Sequence, residues 1–444
     1  VQHIHAPHIP KFMQALVLHD TVSTGTSGRP EGVFLTVSQE KKADVKDHPV
    51  PELQDNDILV KVAYVAQNPT GKLLQIYLAR RSCSDSYHSA LDWKHVEFWG
   101  KPEATDGCDF SGKVVALGKN LKDDSWQIGD LAAGIVHGGQ FPDRGAFAGT
   151  SLSSSMQHGP DPYRHVEFLR VPSDAAWKVP TSSSKVTLRE APVYGIGFGT
   201  ACQALYQRLD VPYPPAKISG EEEWFLVYGG STSVGLFAVQ LAKLAGYKVI
   251  ATCSPRNFDL VKEYGADVCV DYHDSIKAIR EIRTATEFNL RRGLDTISEK
   301  LSLRISLESF SDNDRNGDRK IQILLLAPEE SKMLASQRGI QLETNWVYTC
   351  ISDVSFMDVQ QALKLNLCQT FHFVDDITVE GIPSDREFYA KLSKDTPTFI
   401  EEYGIRPNPI KDMHGGLKGI FEGFELMKQG KVSASKLVYK VADV

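Results

Sequence analysis

What the 444-residue chain lacks narrows the field first. It has no Cys-x-x-Cys pair, and its seven cysteines (Cys83, Cys108, Cys202, Cys253, Cys269, Cys350 and Cys368) are scattered and odd in number. That pattern points to reduced thiols in a cytoplasmic setting, not to a disulfide framework. No apolar run approaches the length of a membrane span, and the N-terminus carries no apolar signal core. Positive charge is not in excess: the net charge of −7 argues against a dedicated nucleic-acid surface. No internal repeat or low-complexity segment stands out. What remains is a soluble globular chain with 42% hydrophobic and 24% charged residues, long enough for two or three domains.

The most informative stretch is Trp224–Gly235, Trp-Phe-Leu-Val-Tyr-Gly-Gly-Ser-Thr-Ser-Val-Gly. It reads as a buried strand, Trp224 to Tyr228, breaking into a glycine turn. A helix follows over Val234–Ala245, with Leu236, Val239, Leu241 and Leu244 at helical spacing and Gly246 as its stop. A strand, a glycine turn and a helix together aim bare N–H groups and a positive helix end at a pyrophosphate. Gly230, Ser231, Thr232, Ser233, Val234 and Gly235 are therefore candidate phosphate contacts. A second strand from Tyr247 ends at Cys253-Ser254-Pro255-Arg256-Asn257, where an NAD site would place an acid on the ribose 2′-hydroxyl. Here the acid is missing. Ser254, Arg256 and Asn257, with Pro255 among them, suit a 2′-phosphate, so the expected cofactor is NADP(H).

Ahead of this unit, residues 1–12 read as an extra arm; His3, His5 and His8 there lack partner ligands for a metal. Met13–His19 and Ile58–Val65 read as strands, Thr21–Gly32 as a turn or loop. Gly107–Gly112 opens a strand over Lys113–Leu117, Trp126–Gly134 returns to β, and Ala175–Pro180 closes a compact β-barrel. A small-residue helix over Gly199–Leu209 leads to the dinucleotide unit. Beyond it, helices (Phe258–Tyr264, Ser275–Phe288) alternate with strands (Ala266–Tyr272, Gly293–Ile297, Ile321–Ala327), which implies a doubly wound parallel sheet. Ser311–Lys320 reads as a solvated loop rather than a calcium site. Ser384–Glu402 and Gly415–Lys428 read as helices and Lys436–Val441 as a last strand.

Val227-Tyr-Gly-Gly-Ser-Thr-Ser-Val-Gly235, Ala251-Thr-Cys-Ser-Pro-Arg-Asn-Phe-Asp-Leu260, Gly265-Ala-Asp, Leu426-Met-Lys-Gln-Gly-Lys-Val-Ser433 and Lys436-Leu-Val-Tyr439 resemble the zinc-free branch of the medium-chain dehydrogenase/reductases. Most of all they are similar to fungal trans-acting enoyl reductases and related secondary-metabolite dehydrogenases. The resemblance implies an α/β protein: a GroES-like β-barrel catalytic domain over 13–193 and 370–444, with a Rossmann NADP-binding domain over 194–349. It also implies a threonine near the nicotinamide, Thr200 in Gly197-Phe-Gly-Thr-Ala-Cys202, though a helix N-cap is a rival role. Leu325, Leu326, Ser433 and Ala434 are implied as further cofactor contacts. Tyr272 is implied beside the adenine-side ribose, or is an ordinary strand-end tyrosine.

The family's zinc pattern, Gly-His-Glu-x-x-Gly, stands here as Gly107-Cys108-Asp109-Phe110-Ser111-Gly112, and the four-cysteine lobe is absent, so no metal is expected. Thr232 replaces a middle glycine of the family turn; its hydroxyl can donate to a phosphate, so the change need not abolish binding, and the fungal branch is similar in having a threonine here. The family run Asn-Pro-Thr-Asp-Trp-Lys looks broken: Asn68-Pro69-Thr70, then Asp92-Trp93-Lys94. Thr70, Asp92, Trp93 and Lys94 are mapped as cofactor contacts, with Lys94 and Thr200 as the catalytic candidates. Lys72 is the rival lysine, and a solvated lysine the bland reading. His137, in a glycine-rich loop near the expected substrate entry, could serve as a general acid, but a lone loop histidine is more often exposed, and it is left out of the catalytic set. Segments 71–91, 149–166 and 350–369 each interrupt a family-like run; they are either surface loops or retained intron sequence. The expected activity is NADPH-dependent reduction of the C=C of an enoyl thioester or other α,β-unsaturated carbonyl, with a polyketide synthase or carrier-bound acyl chain as partner. A small-metabolite carbonyl or alcohol dehydrogenase and a non-catalytic NADPH-binding protein stay open beside it.

Overall fold

The computed structural model describes residues 9–29, 32–68, 103–139, 145–147, 168–183, 185–219, 223–313, 317–325, 327–344 and 382–444. The chain starts as a long hairpin, β1 (Phe12–Arg29) against β2 (Gly32–Pro49), paired antiparallel from Phe12↔Pro49 to Arg29↔Gly32. The loop expected over Thr21–Gly32 is thus largely strand. Thr21, Val22, Thr24 and Thr26 are β-branched, and a ladder that pairs with itself needs no apolar pattern to form.

Next comes an irregular barrel sheet. β3 (Asp57–Gln67) is buried on both faces because Ile58, Leu59, Val60, Val62, Ala63 and Val65 leave almost no polar alternation. It lies between β4 (Asp109–Leu117) and the C-terminal strand and also pairs with β6 (Phe168–Pro172). β5 (Leu131–Ile135) and β7 (Ala176–Lys178) complete that side. β4 starts earlier than expected, at Asp109, so Gly112 lies inside the strand. A Cβ there would stand 2.0 Å from the Lys61 carbonyl oxygen, which is why the position takes glycine. Trp126 sits in the preceding turn and not in the strand.

Helix α1 (Ile196–Cys202) begins three residues before the predicted start and continues as a π-helical turn, Gln203–Arg208. The dinucleotide unit follows: β8 (Trp224–Tyr228), α2 (Ser233–Leu244), β9 (Lys248–Thr252), α3 (Phe258–Glu263), β10 (Val268–Val270), α4 (Ser275–Ala285), β11 (Arg292–Asp295), α5 (Lys300–Ser309), β12 (Lys320–Ile323), α6 (Glu329–Gln337) and β13 (Gln341–Thr344). The strands form one parallel sheet in the order β10-β9-β8-β11-β12-β13. The chain walks outward from β8 to β10 and then restarts at β11 on the other side. That reversal opens a crevice at the carboxyl ends of β8 and β11, the place where such sheets take ligands.

α7 (Pro383–Glu401), β14 (Ile410–Met413), α8 (Gly419–Lys428) and β15 (Lys436–Lys440) return to the barrel, where Leu437↔Gln67 to Lys440↔Tyr64 pair β15 with β3. Tyr439 Oη donates to Gln67 Oε1 and Gln67 Nε2 to the Ile420 carbonyl, pinning β15, β3 and α8 together. Tyr194, Phe198, Phe237 and Phe399 stack edge-on or tilted with centroids 5.4–5.9 Å apart. They join α1, α2 and α7 in one core. Among the described residues no helix is long and apolar enough to cross a membrane.

Candidate cofactor and active site

The turn after β8 is built on close backbone packing. Gly229 has φ +79°, and Gly229 N and Gly230 N donate to Thr252 Oγ1 and O at 3.0 and 2.8 Å. A Cβ on Gly235 would stand 2.2 Å from Gly229 O, and one on Gly230 2.8 Å from Ala251 Cβ. Only glycines let α2 start this close to the turn. With Gly229 and Gly230 committed to β9, the orphan N–H groups of the first helical turn, at Ser233 and Val234, are the ones aimed outward. The residues fit a dinucleotide pyrophosphate on that ground.

Thr232 is bonded within the turn itself. It is the N-cap of α2, accepting from Gly235 N at 2.9 Å, and its proton goes to Thr296 Oγ1 at 3.0 Å. Thr296 in turn donates to Tyr228 O at 2.9 Å. The hydroxyl is spent on joining the turn to the end of β11, not on a phosphate. Sequence reasoning also missed Asn408, which is 2% exposed and donates to Ser233 Oγ and O at 3.0 and 3.1 Å. A lone Asn between two prolines gave no signal, because its partner lies 175 residues away.

After β9, Ser254 leads into a 3₁₀ turn, Pro255–Asn257. Ser254 Oγ and Tyr272 Oη lie 3.3 Å apart, and Tyr272 stacks on His273 with centroids 4.5 Å apart. Asn257 Nδ2 donates to Ser433 Oγ at 3.3 Å, so two predicted contacts 176 positions apart meet. Ala434, next to Ser433, has φ +52°, a left-handed conformation that costs a non-glycine residue about 1 kcal/mol or more. Arg256 is exposed and pairs with no described acid. Ser254, Asn257, Tyr272 and Ser433 thus cluster at one turn, beside the exposed Arg256. Leu325 is buried; Leu326 lies outside the described residues.

At the other end, α1 abuts the phosphate turn: a Cβ on Gly197 would stand 2.6 Å from Ser233 Oγ. Thr200 is buried inside α1 and its hydroxyl donates back to Ile196 O at 2.6 Å. It is not an N-cap; Gly195 holds that position. Thr70, Asp92, Trp93, Lys94 and the rival Lys72 lie outside the described residues, as do segments 71–91, 149–166 and 350–369. His137 is buried at 6% exposure and not an exposed loop residue, because Gly138 packs onto the Gly107 turn.

Among the described residues no three His, Cys, Asp or Glu side chains are grouped to hold a metal ion. Cys108 is buried, and Asp109 is ion-paired with Lys436 at 2.8 Å, both side chains fully enclosed. A surface cleft of about 610 Å³ touches Arg189, Tyr194, Tyr264, Arg406 and Asn408, but none of the predicted cofactor contacts lines it. Its guanidinium groups are already paired, Arg189 with Asp412 and Arg406 with Glu263.

Residues 233–314 match the family described as zinc-binding dehydrogenase. The chain is 31% identical over 406 residues to the trans-enoyl reductase caaB of Aspergillus niger, covering 89% of this chain and 93% of that one. It is 32% identical over 413 residues to the trans-enoyl reductase ACTTS2 of Alternaria alternata, covering 92% and 98%. Among solved structures, the CurK enoyl reductase superimposes with TM-score 0.56 at 16% identity, over 97% of this chain and 99% of that one. The mycobacterial protein Rv1454c, complexed with NADPH, does so with TM-score 0.58 at 17% identity, over 96% and 99%.

Proposed function

Since the chain belongs to the trans-enoyl reductase family of medium-chain dehydrogenase/reductases, we propose that it reduces the C=C of an enoyl thioester with NADPH, without zinc. The observation that carries the cofactor choice is Arg256, exposed and without a described acid partner beside the Ser254–Tyr272 hydroxyl pair. A guanidinium and two hydroxyls can meet a 2′-phosphate dianion, and no carboxylate in the turn repels it. Bound NADPH supplies the hydride, directed to the β-carbon of the conjugated alkene.

The chain's own residues bind, orient and donate. The first turn of α2 and the cap at Thr232 set the pyrophosphate end. Thr200 has given its proton to Ile196, so its oxygen has only acceptor lone pairs left to offer. That suits a carboxamide N–H of the nicotinamide and not the substrate carbonyl. Polarising the thioester carbonyl then falls to a donor such as the Lys94 ammonium, which stabilises the charge that develops as the β-carbon is reduced. Protonation of the α-carbon completes the addition.

The name that the relatives share, trans-enoyl reductase, supports an enoyl group as the substrate; that a partner polyketide synthase carries it as an acyl chain is part of the same proposal. The free thiols at Cys108, Cys202, Cys253 and Cys269 favour a cytoplasmic setting. The test is to follow NADPH absorbance with purified protein against enoyl thioesters and enones on one side, aldehydes and ketones on the other. Consumption with the conjugated alkenes alone is expected, with NADH far weaker. Consumption confined to aldehydes or ketones would move the enzyme to carbonyl reduction.

A further inference from the structure

We propose that the buried Asp109–Lys436 pair is a positioning device for the substrate end of the cofactor cleft, holding four segments in one register. The inference rests on the reading of Thr200 and the Asn-Pro-Thr run given above. Asp109 opens β4 and Lys436 opens β15; both side chains have 0% exposure and their charged atoms are 2.8 Å apart. Each end of the pair is committed a second time. Asp109 Oδ1 accepts from Ile196 N at 2.8 Å, the first N–H of the helix that carries Thr200. Lys436 Nζ donates to Asn68 Oδ1, the residue that leads into Pro69-Thr70.

The local structure is shaped around this arrangement. A Cβ on Gly195 would stand 2.2 Å from Asp109 Oδ1, so the N-cap is a glycine that lets the carboxylate reach the helix end. A negative charge there complements the helix dipole. Three residues before Lys436, Ser433 accepts from Asn257, and the left-handed Ala434 turns the chain between them. Four segments that are distant in sequence thus meet through two side chains. Burial pushes the Asp109 carboxyl up, and the Lys436 ammonium opposes that most strongly, followed by the Ile196 N–H. Apolar residues of similar volume usually replace a buried ion pair without loss of stability. What such residues do not supply is direction, because only the pair grips both the α1 terminus and the Asn68 side chain.

K436M alone leaves a buried carboxylate uncompensated and can fail to fold. The decisive variant is therefore the apolar pair D109L/K436M, in which neither side chain can bond Ile196 N or Asn68 Oδ1. Its melting temperature is expected to stay within about 5 °C of wild type, a shift worth no more than a small stability change in a chain this size. Turnover of an enoyl thioester should fall about 100-fold with little change in KM, the cost of a misplacement near 1 Å. Wild-type kcat in a folded double variant would overturn the proposal. If the wild type binds NADPH but reduces no enoyl thioester, the substrate reading fails instead. Amide exchange over residues 195–202 then decides the pair: acceleration in the double variant supports it, and identical exchange overturns it.

Discussion

Arg256 is the side chain on which cofactor preference turns. Arg256→Ala is expected to weaken NADPH binding about 10–100-fold, the worth of one charge-assisted hydrogen bond, and to leave NADH affinity unchanged. Fluorescence titration with both cofactors checks this, and an equal loss for the two would place the 2′-phosphate elsewhere. Asp295 gives a pH signature. It is fully buried at the end of β11, accepts from Ile297 N and Ser298 N at 2.9 and 2.8 Å, and burial pushes its carboxyl up to about 6 from 3.8. The folded protein therefore keeps a proton that the unfolded chain releases. Stability from this group falls as pH rises from about 4 to about 6, by about 3 kcal/mol, and stays lower above that window. Asp295→Asn should remove this component, so the melting temperature of wild type relative to the variant should drop across the window; parallel curves would contradict it. Little at this scale was legible beforehand. Residue types announced the candidates, but whether a hydroxyl is free or spent depends on partners such as Thr296 for Thr232, or Ile196 for Thr200. Asp109 and Lys436, 327 positions apart, share no local pattern at all.

Elements were legible where periodicity and burial agree. Trp224–Tyr228 is a parallel strand buried on both faces and reads as an apolar run, and its predicted limits coincide with those of β8. α5 was not expected, because Leu301, Leu303, Ile305 and Leu307 alternate with polar residues and imitate a strand. β13 and β14, at four residues each, are too short to show a period. The cap and glycine at the head of α2 give opposite predictions. Thr232→Ala removes the cap bond to Gly235 N and should cost about 1 kcal/mol of stability. NADPH affinity should change little, since the hydroxyl proton already serves Thr296; a large loss of affinity with unchanged melting would return Thr232 to the phosphate. Gly235→Ala drives a methyl against Gly229 O, a backbone atom that cannot step aside. Calorimetry should show NADPH binding abolished in that variant.

For the molecule as a whole, the fold class was the most legible feature. The alternation of strands and helices from Trp224 onward dictates a parallel sheet, and the last strand at Lys436, which pairs locally only with the four-residue β14, returns to the earlier sheet. It does so beside β3. The interrupting segments 71–91, 149–166 and 350–369 are decided by peptide mapping of the native protein. A peptide spanning Thr70–Gly71 marks the first as a true insertion, whereas a Thr70–Asp92 junction peptide marks it as intron sequence. The central claim, hydride delivery to a conjugated alkene, is tested most directly by isotope transfer. Purified protein is given NADPH deuterated at the transferable position of its nicotinamide ring, together with a short enoyl thioester, and the product is read by mass spectrometry and NMR. The account predicts one deuterium on the β-carbon of a saturated thioester, with the α-hydrogen drawn from solvent. Deuterium on a carbinol carbon, or no transfer while NADPH is bound, would contradict it.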